Sequence, residues 1–583
     1  MRLIGAVAAA LLCIITCGAR ADVTLVADGK SDYVIVVGQQ ASPAEKSGAR
    51  EIQSHVAQMS GVTIPITGEN ISVPQHAILV GRSRFTDQLV APLDPKRDGA
   101  ETFLIRTFGP HVVILGASPR ATMYACSELL EKLGVRWFTP KATRVPKRSN
   151  VTLSEINETQ SPDFEYREPF FWEAFDKDWA ARMRINGHHA RLDDSTGGHV
   201  IYGRFVHTFD ELVPPKLFDE HPEYFPLIEG KRTGGYVQRC LSNPEVLRLS
   251  IERVRQWIKE KPEATIFSVS QNDCAAWCTC DACTAIAQRY GGAQSGLYLW
   301  FVNQVAEAIE KDHPGVLIDT LAYQFTEPPP TGITPRRNVR VRLCPIACCE
   351  AHPYESCTAE PNRAFVKNLV AWAKLTDALY VWHYNTNFAN YLTPFPDFDE
   401  FPAEARLYKR SGVKGIFFQG AYAEGGGGSD SELRAYVMSK LLWDADVDTD
   451  ALVSEWMSGV YGAAAGPMRK WFDLLHERVR GPDKHFFIYD PPTVHYLSDD
   501  VIAQGERLFD EAEKLAGPDA VAVEYVAKAR LGMRYVKLMR RPRVDDEFRA
   551  FMKDARRFGI TQLHEGQPID AFEKQYVEAH GQK

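Results

Sequence analysis

Between residues 158 and 445 the chain alternates short runs of β-branched and aromatic residues with longer runs whose apolar positions recur every three or four residues. Strand-like runs fall at 164–171, 188–192, 206–209, 265–270, 316–323, 339–346, 379–384 and 415–420. Helical runs at 178–185, 244–259, 297–311, 362–375 and 403–411 separate most of them, and 431–443 closes the series. A helical crossover returns the chain to the same edge of a sheet and compels parallel pairing. Eight such strands over the ~250 residues that the closed form needs predict an α/β fold of the (β/α)8, or TIM, barrel type. The second and third runs are short and lack a clear helix between them.

The flanks read differently. Residues 22–150 predict a small α/β domain, with strands near 33–38, 77–81, 102–107 and 111–115 and a helix opened by the capping sequence Ser42-Pro43-Ala44-Glu45. No glycine-rich loop joins its first strand to its first helix, which excludes a nucleotide-binding unit. Residues 145–157, with Pro146, Lys147 and Arg148, read as a linker to the barrel at 158–445, and 446–583 predicts a wholly helical domain. At the start, Arg2, an apolar run over 3–16 and Ala19-Arg20-Ala21 have the form of a cleavable signal over residues 1–21, so the mature chain is expected to be secreted or periplasmic. That run is shorter than the ~20 residues a spanning helix requires, and no membrane span is expected. A net charge of −8 argues against nucleic acid as a partner and is compatible with a neutral glycan. Nothing in the composition fixes an oligomeric state.

Two signal-segment cysteines aside, most of the rest cluster as Cys274, Cys278, Cys280 and Cys283, and as Cys344, Cys348, Cys349 and Cys357. In an exported chain such groups predict disulfides. The alternative is zinc on Cys274, Cys278, Cys280 and Cys283, although the tight Cys-x-Cys spacing fits no common zinc motif well. No metal or other cofactor is expected at the site of chemistry.

In a barrel the C-terminal ends of the strands carry the chemistry. Those ends offer Glu173 after the first strand, His207 after the third, Asn272, Asp273 and Trp277 after the fourth, and Tyr323 after the fifth. The seventh offers Trp382, His383, Tyr384 and Asn385, and the eighth Gln419 and Tyr422. Aromatic faces pack on the C–H face of a sugar ring, and amides and carboxylates satisfy its hydroxyls in directional pairs. Against this stand plainer readings: rings that cap a core, asparagines that shape a loop, and Asp273 as the cap of the next helix. Glycoside cleavage ordinarily needs two carboxyl groups, but a 2-acetamido sugar can supply its own attacking oxygen. Asp273 is then the expected acid and Asn272 the group that orients the acetamide, with Glu432 the next carboxylate to consider, or else a helix-dipole residue.

The phrases Phe205-Val-His-Thr-Phe209, His221-Pro-Glu-Tyr-Phe225, Ser268-Val-Ser-Gln-Asn-Asp273, Val341-Arg-Leu-Cys-Pro345, Asn385-Thr-Asn-Phe388 and Glu432-Leu-Arg-Ala-Tyr436, in this order, resemble the domain of unknown function 4838 family. Part of that family is related to glycoside hydrolase family 163, the endo-β-N-acetylglucosaminidases of N-glycans. Leu129-Leu-Glu-Lys-Leu-Gly-Val-Arg-Trp-Phe138 is similar to the non-catalytic domain that precedes the barrels of family 20 hexosaminidases and family 67 α-glucuronidases. The resemblance to family 20 implies adjacent acetamide-orienting and acid residues at the end of the fourth strand, where this chain carries Asn272-Asp273 rather than Asp-Glu. The resemblance also implies departures, since relatives in the 4838 group often show Glu where this chain has Ala347 and Asp where it has His383.

The function expected is thus an exported glycoside hydrolase cleaving β-linked N-acetylhexosamine in glycans by substrate assistance. One alternative is an α-glucuronidase-like exo-hydrolase, with Arg204 or Arg239 beside the sugar carboxylate. The other is an inactive glycan-binding barrel.

Overall fold

The structure is a computed structural model and describes residues 22–581. The expected signal at 1–21 lies outside them. The chain forms two compact units, one running to Val135 with Val145–Gln160, the other made of Arg136–Arg144 and the chain from Ser161 onward.

The first unit is built on a six-stranded sheet in the order Asn157–Gln160, Phe103–Phe108, His111–Gly116, Ala77–Val80, Val34–Val37, Ile66–Gly68. Helix Pro43–Ser60 opens with the reciprocal capping box of Ser42 and Glu45. It packs on helix Pro119–Lys132 so closely that a Cβ on Gly48 would stand 2.6 Å from Cys126 Sγ. The segment expected as a linker instead carries strands: Val151–Leu153 pairs antiparallel with Val23–Val26, and Asn157–Gln160 with Phe103–Phe108. Val151 and Leu153 are buried and Thr152 is exposed, a period of two that outweighs the nearby proline and charges.

The second unit holds a parallel sheet of seven strands: β1 (Tyr166–Phe170), β2 (Tyr202–Arg204), β3 (Ile266–Ser268), β4 (Leu317–Ala322), β5 (Val339–Leu343), β6 (Leu379–Tyr384) and β7 (Gly415–Gln419). Their order is β1-β7-β6-β5-β4-β3-β2, so the first strand lies beside the last and the sheet curls as a TIM-like barrel does. The expected second strand at 188–192 is not formed. In its place the irregular chain after Asn186 bonds to both open edges: Gly187 N–H reaches the Arg167 carbonyl at 3.1 Å, Val200 N–H the Asn186 carbonyl at 2.9 Å, and Tyr202 N–H the His188 Nδ1 at 3.1 Å. A Cβ at Gly187 would stand 2.4 Å from Glu168 Cβ, and Arg191 adopts φ 48°, a turn conformation that ends any extended run. The third strand runs over 202–204 and not 206–209, because His207 adopts φ 60°.

Below the strand ends the interior is filled rather than hollow. Arg342 is fully buried against Asp319 at 3.3 Å. Its guanidinium lies 5.3–5.9 Å from the ring centres of Tyr166, Tyr202, Phe205, Tyr380, Trp382 and Phe417. Ring faces and the carboxylate together offset a desolvation cost that the ion pair alone meets poorly.

The C-terminal region packs helices Thr449–Tyr461, Ala465–Val479, Asp499–Ala516, Ala520–Arg540, Asp546–Arg557 and Ile569–His580. It is not wholly helical: Gln562–His564 and Gln567–Pro568 form a hairpin around Glu565-Gly566, with Gly566 at φ 76°. Among the described residues no helix is long and apolar enough to cross a membrane.

Candidate functional site

A cavity of about 430 Å³ opens at the C-terminal ends of the strands. Successive residues of a strand face opposite ways, so β6 sends Trp382 and Tyr384 into the cavity and His383 behind the sheet. Trp382 Nε1 donates to Gln419 Oε1 at 2.8 Å, and Gln419 Nε2 donates to Glu565 Oε1 at 3.1 Å. This relay fixes the Gln419 amide and aims the Glu565 carboxyl at the cavity. Tyr422, after β7, lines the wall beside it. The hairpin that carries Glu565 is stitched to the loop after β6, with Glu565 N–H on the Phe388 carbonyl at 2.8 Å and Tyr391 N–H on the Leu563 carbonyl at 2.9 Å.

Asp273 lies in the same cavity, exposed to it, with its backbone N–H on the Tyr236 hydroxyl at 3.0 Å. Tyr323 stands beside Asp273, and its phenol is pushed up by burial and by that carboxylate. Gln324 Nε2 donates to the Tyr323 hydroxyl at 2.9 Å. Burial raises the Glu565 carboxyl above the ordinary carboxylate range, and the charge of Asp273 adds to the rise against hydrogen bonds from Tyr422 and Gln419. His207 also lines the cavity, its Nδ1–H donating to the Gln271 carbonyl at 2.8 Å. His189 reaches the wall from the irregular segment that replaces the second strand, 2.8 Å from Glu168 Oε1. Although burial pushes the Glu168 carboxyl up, His189 and Tyr166 hold it down at about 2.

Of the residues expected from the sequence, Asp273, His207, Tyr323, Trp382, Tyr384, Gln419 and Tyr422 come together here. Asn272 does not. It is buried, with Nδ2 on Asp210 Oδ1 at 2.5 Å and on the Val237 carbonyl at 2.8 Å, so its side of the strand end faces outward. Trp277 stacks on Phe325, ring centres 4.9 Å apart, outside the lining. His383 is enclosed between Glu350 and Glu400, and burial lowers it to about 3, while burial pushes both glutamates up. Asn385 is buried with Nδ2 on Asp397 Oδ2 at 3.2 Å.

Glu173 and Glu432 sit together in a separate cavity of about 270 Å³ with Lys528. Lys528 bonds Glu432 directly and lies 3.8 Å from Glu173, which also accepts from Ser431 Oγ at 3.2 Å. Burial and the charge of Glu432 raise Glu173 to about 7, whereas Lys528 holds Glu432 below its ordinary value despite burial. Arg239 is buried on Asp210 and the Val213 carbonyl, and Arg204 pairs with Glu211 and Glu260. Among the described residues no lysine or arginine lines the cavity at the strand ends.

Three features of the site escape a reading by strand tips. Glu565 belongs to a hairpin far along the chain, and its only local signal is the turn dipeptide Glu565-Gly566. His189 stands where a strand was expected, and Tyr489 comes from the loop between two C-terminal helices.

The ten cysteines of the described residues are all unbridged, so the expected disulfides are not formed. Cys344 is buried beneath the cavity. Cys274 stands outside the nearest sulfur cluster, which Cys278, Cys280 and Cys283 form with the distant Cys240.

The family model described as "Domain of unknown function (DUF4838)" matches residues 137–473. No curated protein matches the chain. Among solved structures, a family 115 4-O-methyl-α-glucuronidase with specificity for decorated arabinogalactans aligns over 94% of this chain and 78% of its own, at 13% identity and TM-score 0.59. The Flavobacterium johnsoniae chitobiase of family 20 aligns over 96% of this chain and 97% of its own, at 11% identity and TM-score 0.47. The first of these likenesses speaks for a shared fold.

Proposed function

The chain belongs to the DUF4838 family, and from that premise we propose that it is a glycoside hydrolase acting at the strand-end cavity on a β-linked 2-acetamido sugar of an extracellular glycan. The observation that carries this reading is the joint presence of Asp273 and Glu565 in one aromatic-lined cavity, with Glu565 biased toward its protonated form. A carboxyl group with a raised pKa suits the proton donor, and the second carboxyl group suits the stabilising role.

Glu565 gives its proton to the glycosidic oxygen as the bond to the anomeric carbon breaks. The substrate's acetamide oxygen attacks that carbon, while Asp273 accepts from the acetamide N–H and the Tyr323 hydroxyl donates to the acetamide oxygen. The Glu565 carboxylate then takes a proton from the water that opens the cyclic intermediate, which restores the acid. Trp382 offers a ring face to the sugar. This division of labour moves the acid from Asp273 to Glu565, and it leaves Asn272 as a support that braces the loop through Asp210. A uronic-acid substrate calls for a cation near its carboxylate, and among the described residues the lining supplies no lysine or arginine.

The test is to incubate the purified protein with a mixed library of acetylated and uronic-acid oligosaccharides and to weigh the products. Release of 2-acetamido products is expected, and Glu565→Gln should lower that turnover by about 10²–10⁴-fold while glycan binding persists. Unchanged turnover in Glu565→Gln, or products from the uronic-acid members alone, would overturn the assignment.

A further inference from the structure

Two clusters of sulfur and imidazole lie in the loops that frame the cavity, and neither takes part in the chemistry above. The first gathers Cys240, Cys278, Cys280 and Cys283, whose sulfurs all lie within 4.8 Å of one another. Cys240 Sγ is 3.7 Å from Cys280 Sγ and 3.9 Å from Cys283 Sγ. Those separations are far beyond a disulfide's ~2.05 Å. They match the edge of a tetrahedron whose centre lies ~2.3 Å from each sulfur, about 3.8 Å. Donors converge on the sulfur of Cys278, with Leu227 N–H at 3.2 Å and Arg232 Nη1 at 3.8 Å, as expected around a thiolate.

The second cluster joins Cys349, His352, Cys357 and His485. Here the imidazole tautomers are set from outside. His352 Nε2 faces the Val479 and Gly481 carbonyls at 2.8 and 3.0 Å, and a carbonyl only accepts, so the proton sits on Nε2. His485 Nε2 faces Thr358 Oγ1 at 3.2 Å, a hydroxyl that spends its own proton on the Pro482 carbonyl at 2.9 Å. Both Nδ1 lone pairs therefore point inward. They lie 3.3–3.8 Å from the two sulfurs: His485 at 3.3 Å from Cys349 and 3.7 Å from Cys357, and His352 at 3.8 Å from each.

We propose that the chain binds two structural zinc ions, one on Cys240, Cys278, Cys280 and Cys283, and one on Cys349, His352, Cys357 and His485. Sulfur and imidazole in tetrahedral array select zinc over the hard cations, and four protein ligands leave no open position for catalysis. Each ion fastens a part of the cavity rim that lacks regular structure. The first ties the loop of Asp273 to the 236–240 segment, which already holds it through Gln238 Nε2 on the Asn272 and Cys274 carbonyls. The second ties the loop after β5 to the stretch that carries Tyr489, beside the Glu350 N–H to Phe486 carbonyl bond of 3.0 Å.

The full chain, expressed with zinc and purified without chelator, should carry two zinc ions by elemental mass spectrometry, and Cys283→Ser and His485→Gln should each carry one. Because such variants can fail to fold, the unaltered protein should also be reconstituted with Co²⁺. Tetrahedral visible bands with sulfur-to-cobalt charge transfer are the expected result. Absence of both metal and those bands, or peptide mapping that finds disulfides within either cluster, would overturn the proposal, and zinc in one site alone would overturn the other half. None of these readings depends on hydrolysis, so they stand apart from the glycosidase assignment.

Discussion

Two pairs of carboxyl groups sit in cavities of the same unit, and they differ in one partner. Glu173 and Glu432 share Lys528, which bonds Glu432 and lies within ion-pair distance of Glu173. Asp273 and Glu565 share a larger and more open cavity that no lysine or arginine among the described residues lines. A fixed cation holds Glu432 in its charged form as a buried salt bridge, while Glu173 beside it is raised to about 7 by burial and by that charge. In the second pair Glu565 takes hydrogen bonds from the Gln419 amide and the Tyr422 hydroxyl. Acids near strand ends are many, and the countercharge is what separates these two pairs.

The comparison breaks most sharply at Lys528. Lys528→Met leaves two buried acids facing each other and should cost about 3–5 kcal/mol in denaturant unfolding. Loss below 1 kcal/mol would show that the pair is solvated and the contrast false. A middle-sized effect is expected from Glu173→Gln. Glu173 titrates at about 7 in the folded chain, above its ordinary range, through burial first and Glu432 second. The folded state thus holds that proton more tightly than the unfolded state, and stability falls as pH rises from about 4.5 through about 7. Unfolding curves of Glu173→Gln across that window should lose this decline, and an unaltered slope would assign it elsewhere. The smallest effect sharpens the other side. Asp273→Asn removes a negative charge that helps to raise Glu565, so the Glu565 titration, followed by carboxyl carbon NMR, should move to lower pH. Burial, the larger cause, remains and keeps it above the ordinary carboxylate range.

Much of the curled sheet was legible because helical crossovers leave a coarse signal over hundreds of residues. The second stave was not. Residues 188–192 have the apolar content of a short strand, but Gly187 against Glu168 and the left-handed Arg191 make extension unworkable. The aromatic wall was legible for a related reason: alternation along β6 separates Trp382 and Tyr384 from His383 once the strand is placed. Asn272 and Asp273 show the limit of that rule, since neighbours at a strand end face opposite ways and a sequence does not say which one meets the cavity. Glu565 and Cys240 were hidden by distance. Each joins a cluster through chain folding alone, and neither belongs to a local motif that marks it.

The placement of Glu565 bears on how the protein is made. Ribosomes deliver the strands of the curled sheet, the aromatic wall and Asp273 before the hairpin that carries Glu565. A chain that ends between the last strand of the sheet, at Gln419, and residue 562 therefore keeps Asp273 and the aromatic wall but lacks Glu565.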